Sequence, residues 1–444
     1  MPVRQLIQRL RAQSGRPIVS TLAATASIQL LGLVTGVLLA RVLGATGRGE
    51  LAAVVLWVML LLAVGSFGVT DSVTYHVARR VSRLRVIVGT SAGLALVQGV
   101  LLVALGLGLI PLVLSQYPSS VVRAGLLFLV VVPVGLLTLY LASVLNGMQR
   151  FVPFNVLRVT VHAVAAAGLV ALAATDELTL TTAVYAYIAG QVVALLASIA
   201  LTLPATEGME RPSRDLAERM FAYGWRSQLS TVSNLLNMRA DQLVISVFLS
   251  AASLGLYVVA WTMTSVTNLI GSSIVYTALP AIAGTEGAAD RRAAAREQVG
   301  FTLLASAAMA IPLFIFAPVV LEFAFGEEFR EATDLTRVLL AASVMLAVGR
   351  VLGAILKGAN RPLDAGWAEG IGLAVTAVGL AALLPIMGTM GAAVTSCAAY
   401  SATAAFALRW VNRELGSHGL ELLVPTFPGS ARRGPRSRRG EEHV

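Results

Sequence analysis

The chain has 444 residues, of which 57% are hydrophobic and only 13% charged, with a mean hydropathy of +0.80. Soluble globules carry about 25% charged residues, so a soluble fold is excluded and the chain is read against a bilayer. A net charge of +10 with one cysteine and four histidines excludes disulfide frameworks and cysteine-rich metal sites, and neither GxxxxGK[ST] nor HExxH occurs.

In chain order, residues 1–17 form a basic N-terminal segment holding Arg4, Arg9, Arg11 and Arg16. Apolar runs follow at 18–42, 51–72, 86–114, 121–145, 156–174 and 180–203, each near the ~20 residues that cross a bilayer as a helix. The run from Ile18 is too long for a cleaved signal h-region, so it counts as a helix. A linker at 204–220 leads to six further runs, at 222–249, 255–279, 299–321, 335–357, 363–385 and 388–411. The fold class is therefore an all-α polytopic membrane protein, with about 12 transmembrane helices. Its domains are an N-terminal six-helix lobe (18–203), a C-terminal six-helix lobe (221–411) and a basic tail (412–444) whose Arg, Gly and Pro content predicts disorder.

Arginines alternate with the loops. Arg79, Arg80, Arg83, Arg85, Arg150, Arg211, Arg291, Arg292 and Arg361 fall on one side with the termini, whereas Asp176, Glu177, Glu327, Glu328 and Glu331 fall on the other. The positive-inside rule then places both termini in the cytoplasm. The same distribution accounts for the +10 charge without a nucleic-acid partner. The tail suits anionic inner-leaflet lipids or envelope glycan-synthesis enzymes.

The halves repeat. VLGATGRGEL from Val42 returns as FLSAASLGLY from Phe248, an offset of 206, and LNGMQRF from Leu145 returns as LKGANRP from Leu356, an offset of 211. An even helix number per half makes the repeats parallel, around a central cavity, as in many transporters.

Polar residues inside the apolar runs are costly, roughly 2.5–3.5 kcal/mol for an Arg or Asp at the bilayer centre, so they mark a protein-lined or wet face. Arg226, Ser230, Asn234, Asn237 and Asp241 share one face of the run at 222–249. Thr21, Thr25, Gln29, Gly32 and Gly36 repeat that spacing in the first run, where a cleft and close helix packing both fit. Arg239 points to the opposite side from Arg226 and is given no substrate role. Arg350 is the deeper anion-binding candidate in its run, with Lys357 seven residues on either binding or snorkelling. Asn268 adds to a milder polar stripe, and Arg158 with Glu369, at equivalent repeat positions, are gate candidates. Pro133, Pro312 and Pro318 are the expected bending points.

Taken in order, ARVLGATGRGEL (40–51), LNGMQRFVPFN (145–155), FAYGWRSQLS (221–230), RADQLVI (239–245), LGLYVVA (254–260) and GAAVTSCAAY (391–400) resemble a known family. It is the bacterial polysaccharide (oligosaccharide-lipid) flippase family of the multidrug/oligosaccharidyl-lipid/polysaccharide exporter superfamily. The resemblance implies a bacterial inner-membrane transporter without cofactor, metal or catalytic residue, moving a polyprenyl-pyrophosphate-linked glycan outward by alternating access. Cavity cations in that family hold the pyrophosphate; here Arg226, Arg350 and Lys357 would supply them. The first helix has Gln29 and Thr35 in the region where lipid II flippases carry cations, and no acidic residue between Ile18 and Val42 to serve as the carboxylate of drug/cation antiporters, which disfavours both. A non-transporting scaffold is the remaining alternative.

Overall fold

The computed structural model describes residues 3–283 and 287–424, with side chains described except at 3–18, 229–231, 233–234, 266, 268–281, 283 and 288. Every long element is a helix. In order these are α1 (Val3–Gly65), α2 (Val69–Ala78), α3 (Leu84–Val113), α4 (Ser119–Phe128), α5 (Val131–Gly147), α6 (Phe151–Ala174), α7 (Leu180–Ala205), α8 (Arg214–Phe248), α9 (Ala251–Ala283), α10 (Ala288–Ile315), α11 (Ala317–Phe325), α12 (Thr333–Gly358) and α13 (Pro362–Leu415). Large apolar side chains such as Leu96, Val100, Leu101 and Leu105 of α3 lie exposed, the inverse of a water-soluble surface and the arrangement a lipid solvent demands.

Among the described residues, eight helices are long and apolar enough to cross a membrane. The eight do not by themselves make the expected twelve, but two of them are kinked pairs: α1 and α13 each turn at one glycine with positive φ, Gly44 (66°) and Gly388 (56°), so that each contains two helices, while α8 and α9 are not among the eight. The predicted run 51–72 ends early, because Phe67 and Gly68 take positive φ (46° and 66°) and break α1 from α2. The linker shrinks to residues 206–213, since Ser213 caps α8 by accepting from the Leu216 N–H at 3.4 Å. Of the three prolines expected to bend helices, two stand at helix starts. Pro318 stands in the first turn of α11 and Pro133 in that of α5, where no intrahelical N–H is needed, and Pro312 lies inside α10. Residues 425–444, most of the basic tail, lie outside the described residues.

By proximity the chain forms two units that do not follow the repeat boundary. One holds the chain up to Ser265 with Ile315–Leu339 and Thr376–Ser396; the other holds Val266–Phe314, Leu340–Val375 and the chain from Cys397. The second has its own core of Val299, Val351, Leu352, Ile355, Val411 and Leu415.

Within the first unit the repeat becomes a physical contact. A Cβ on Gly49 would overlap the Ala251 carbonyl and crowd the Gly255 nitrogen; a Cβ on Gly255 would overlap the Ala45 carbonyl and crowd the Gly49 nitrogen. Ala45 and Gly49 are the repeat equivalents of Ala251 and Gly255, so the duplicated motifs meet reciprocally, and only glycine permits backbones this close. Nearby, Arg41 donates to the Phe323 and Ala324 carbonyls at the end of α11, and the Ala45 N–H donates to Glu328 Oε2 at 3.0 Å. Ser246 of α8 is held in the same way by the first repeat. Its carbonyl accepts from Gln116 Nε2 at 2.6 Å and Tyr117 Oη at 3.0 Å, and its hydroxyl oxygen accepts from Trp57 Nε1 at 3.0 Å. Burial, together with the Glu50 carboxylate, pushes the Tyr117 phenol up to about 12, so its donated proton persists through mildly alkaline pH. At the arginine-loop end, a Cβ on Gly68 would strike the Gly224 carbonyl, a second close approach between the repeats.

Candidate functional site

A cavity of about 230 Å³ lies in the first unit. Its apolar wall comes from the limb of α1 after Gly44, through Leu51, Val55, Leu56 and Met59, with Leu235 and Leu243 of α8 and Val258 of α9. The polar residues of the wall are Arg48, Tyr187, Arg239 and Gln242, and no carboxylate is part of it. Local structure explains each placement. The kink at Gly44 restarts α1 so that Arg48 and Leu51, Val55 and Met59 share one face, while α8 presents Leu235, Arg239 and Gln242 at spacings of four and three.

Two guanidinium groups in one apolar cavity repel each other and lose hydration, at a cost of several kcal/mol per buried ion. Some of this is offset. Arg239 donates to Gln242 Oε1 at 2.9 Å, Tyr187 and Arg239 lie within electrostatic reach of Arg48, and Arg239 is also within reach of Asp241. The offset is incomplete: Arg48 Nε and Gln242 Nε2 are buried with no hydrogen-bond partner among the described residues. With Asp241 ionised the group still keeps one positive charge. Unmet buried donors beside net positive charge are what an anionic ligand, such as a phosphate, would satisfy.

The residues singled out from sequence are dispersed. Arg226 and Lys357 are exposed on α8 and α12, and Gln29 is half-buried on α1. Arg350, half-buried, lies within electrostatic reach of Glu369 and Tyr400 in the second unit. Arg158 donates to Asn155 Oδ1 at 3.1 Å and sits 5.8 Å over the Phe154 ring. It belongs to the first unit, whereas Glu369 belongs to the second. Asn237 is buried, and the side chains of Ser230, Asn234 and Asn268 lie outside the described residues. Asp241 does not line the cavity. It is buried behind it, accepting from Tyr257 Oη at 2.5 Å, Ser396 Oγ at 3.2 Å and the Gln242 N–H at 2.7 Å, and these bonds offset the desolvation of a carboxylate. In α1 the two readings of the stripe divide by position: Thr21 accepts from Asn155 Nδ2 at 3.0 Å, while Gly36 packs closely on Thr262 of α9.

Arg48 and Tyr187 were not singled out from sequence, and Arg239 was set aside. An arginine deep in an apolar run is a functional candidate whatever face it occupies, a signal that would have found Arg239; Arg48 lies between the runs 18–42 and 51–72 and carries no such signal.

Residues 14–286 match the family described as "Polysaccharide biosynthesis protein". The "Probable low-salt glycan biosynthesis flippase Agl15" of Haloferax volcanii is 23% identical over 245 residues, 54% of this chain and 49% of that protein, so the chain spans about half the length of the curated relative it matches. The solved "Lipid II flippase MurJ, inward closed conformation" superposes with a TM-score of 0.75 at 13% identity, covering 90% of this chain and 89% of that one. The eukaryotic MATE transporter AtDTX14 gives 0.62 at 13%, covering 91% and 98%. At such identities the two structures speak for a shared fold. The chain belongs to the polysaccharide biosynthesis protein family and has the all-helical fold of the MurJ and MATE membrane transporters.

Proposed function

We propose that this protein is a flippase that carries a polyprenyl-pyrophosphate-linked oligosaccharide from the inner to the outer leaflet of a bacterial cell membrane by alternating access, for cell-surface polysaccharide synthesis. The observation that carries this reading is the cavity holding Arg48 and Arg239 in apolar walls with no lining carboxylate. Pyrophosphate is doubly anionic or more, and bidentate guanidinium contacts suit its oxygens; the polyprenyl chain stays in lipid. A drug/cation antiporter needs a carboxylate facing the cavity, and Asp241 turns its oxygens to Tyr257 and Ser396 instead. Arg350 beside Glu369 is part-neutralised, so the main grip on the anion passes to Arg48 and Arg239.

The direct test reconstitutes the protein in vesicles with lipid-linked oligosaccharide and follows outer-leaflet exposure of the sugar. Wild type is expected to expose it many-fold faster than empty vesicles. No acceleration, or equal acceleration by the Arg48→Ala/Arg239→Ala variant, would overturn the reading. The conformational part has its own test. With Cys397→Ser as background, Gly36→Cys/Thr262→Cys crosslinks α1 to α9, a Cβ on Gly36 lying 3.2 Å from Thr262 Cγ2, which should stop transport until a reductant is added; full transport while crosslinked refutes the need for the repeats to separate.

A further inference from the structure

At the arginine-loop end, α2 and α8 build a second polar feature, far from the arginine cavity. The reciprocal approach of Gly68 and Gly224 brings the two helices close enough for their side chains to mesh. Asp71, Tyr75 and Arg79 follow one another at spacings of four along α2 and its C-cap, on one face, and all three are exposed. Opposite them α8 presents Tyr223 and Ser227, also four apart. The Tyr75 and Tyr223 rings stack at 4.4 Å with 18° between their planes, the Arg79 guanidinium lies 5.7 Å over Tyr75, and Ser227 Oγ donates to Asp71 Oδ2. Tyr75 and Tyr223 keep 37% and 38% of their surface open, so the stack leaves ring area for a ligand.

The other flank of α8 provides the contrast. Phe221 and Trp225 pack on Phe67 with ring centroids 5.5 and 6.3 Å away, and no charged side chain is part of this cluster. That flank has the composition of an aromatic belt at the lipid interface. The tyrosine flank, carrying Asp71 and Arg79, does not suit lipid tails, because an exposed carboxylate and guanidinium require water or a polar ligand.

On the flippase reading above, we infer that this tyrosine face is a loading subsite for the sugar part of the cargo. A pyranose ring has one face of C–H groups, which stacks on the negative face of an aromatic ring, and a rim of hydroxyls. Asp71 accepts from such hydroxyls with the lone pairs that Ser227 leaves open, and Arg79 donates to hydroxyl or ring oxygens. Tyr223 stands sixteen residues before Arg239 on α8, about 24 Å at 1.5 Å per residue. The tyrosine face therefore engages sugar about 24 Å along α8 from the pyrophosphate grip.

Equilibrium binding to the full chain in nanodiscs tests this with two probes, bare undecaprenyl pyrophosphate and the same lipid carrying an N-acetylglucosamine-terminated oligosaccharide. Wild type should hold the glycosylated lipid at least tenfold more tightly. Tyr75→Leu/Tyr223→Leu should erase that difference and leave bare-lipid affinity unchanged, while Tyr75→Phe/Tyr223→Phe, which keeps both rings, should preserve most of it; thermal melting checks that each variant is folded. The subsite is overturned if wild type holds both lipids alike, if the leucine variant keeps the difference, or if it weakens both lipids equally, as a lipid-anchoring role would. A wild type that binds neither lipid overturns the flippase reading and the subsite with it.

Discussion

Arg239 on α8 and Arg350 on α12 are both guanidinium groups set in membrane helices, and their surroundings assign them different work. Arg239 shares an apolar cavity with a second guanidinium, Arg48, and its nearby carboxylate, Asp241, is occupied by Tyr257 and Ser396. Arg350 lies in the reach of Glu369, an arrangement that sums to no net charge. The first holds positive potential in reserve at a cost to stability, and the second spends its charge on the fold. On the proposed reading, Arg239 meets the cargo and Arg350 serves the fold.

The largest expected effect breaks the reserve. Arg48→Ala/Arg239→Ala should lower flipping by about 100-fold or more, on the basis of two lost charge-assisted contacts of roughly 1.5–3 kcal/mol each. Its melting temperature should hold or rise, because like-charge repulsion is relieved. Vesicle flipping and thermal melting decide this together, and a clear drop in melting temperature would mean that the pair is structural.

Next comes the neutral site. Arg350→Ala strands Glu369 and should cost about 1–3 kcal/mol of stability, since the pair is only half-buried. Adding Glu369→Gln should restore most of the melting temperature. If melting is unchanged while flipping is lost, Arg350 belongs with the cargo and the contrast with Arg239 fails.

A smaller effect sharpens the cavity side. Tyr187→Phe removes one hydroxyl beside Arg48 and should weaken binding of polyprenyl pyrophosphate about threefold to tenfold, the equivalent of one neutral hydrogen bond. The smallest concerns Lys357, which is exposed; Lys357→Ala should change flipping by less than about twofold, as exposed charges contribute little. A larger loss would return Lys357 to the cargo path.

The membrane class, the places of most helices and the duplication were legible in the residues alone. Each depends on local composition: an apolar run of helical length has few alternatives in lipid, and VLGATGRGEL and FLSAASLGLY carry Gly49 and Gly255 in register. The breaks were harder to read. Phe67 and Gly68 cut the predicted run 51–72 short, because a positive φ at one residue leaves almost no trace in hydropathy. The cavity lining was not legible. Helical periodicity puts Arg239 on a different face from Arg226, but which face meets a cavity depends on what packs there, and Arg48 and Tyr187 come from distant parts of the chain. Hydropathy and periodicity act within a single helix, so they settled how the chain enters the bilayer. Contact between α1, α7, α8 and α9 settled which side chains line the cavity, because a lining depends on distances of a few ångströms between residues far apart in the chain.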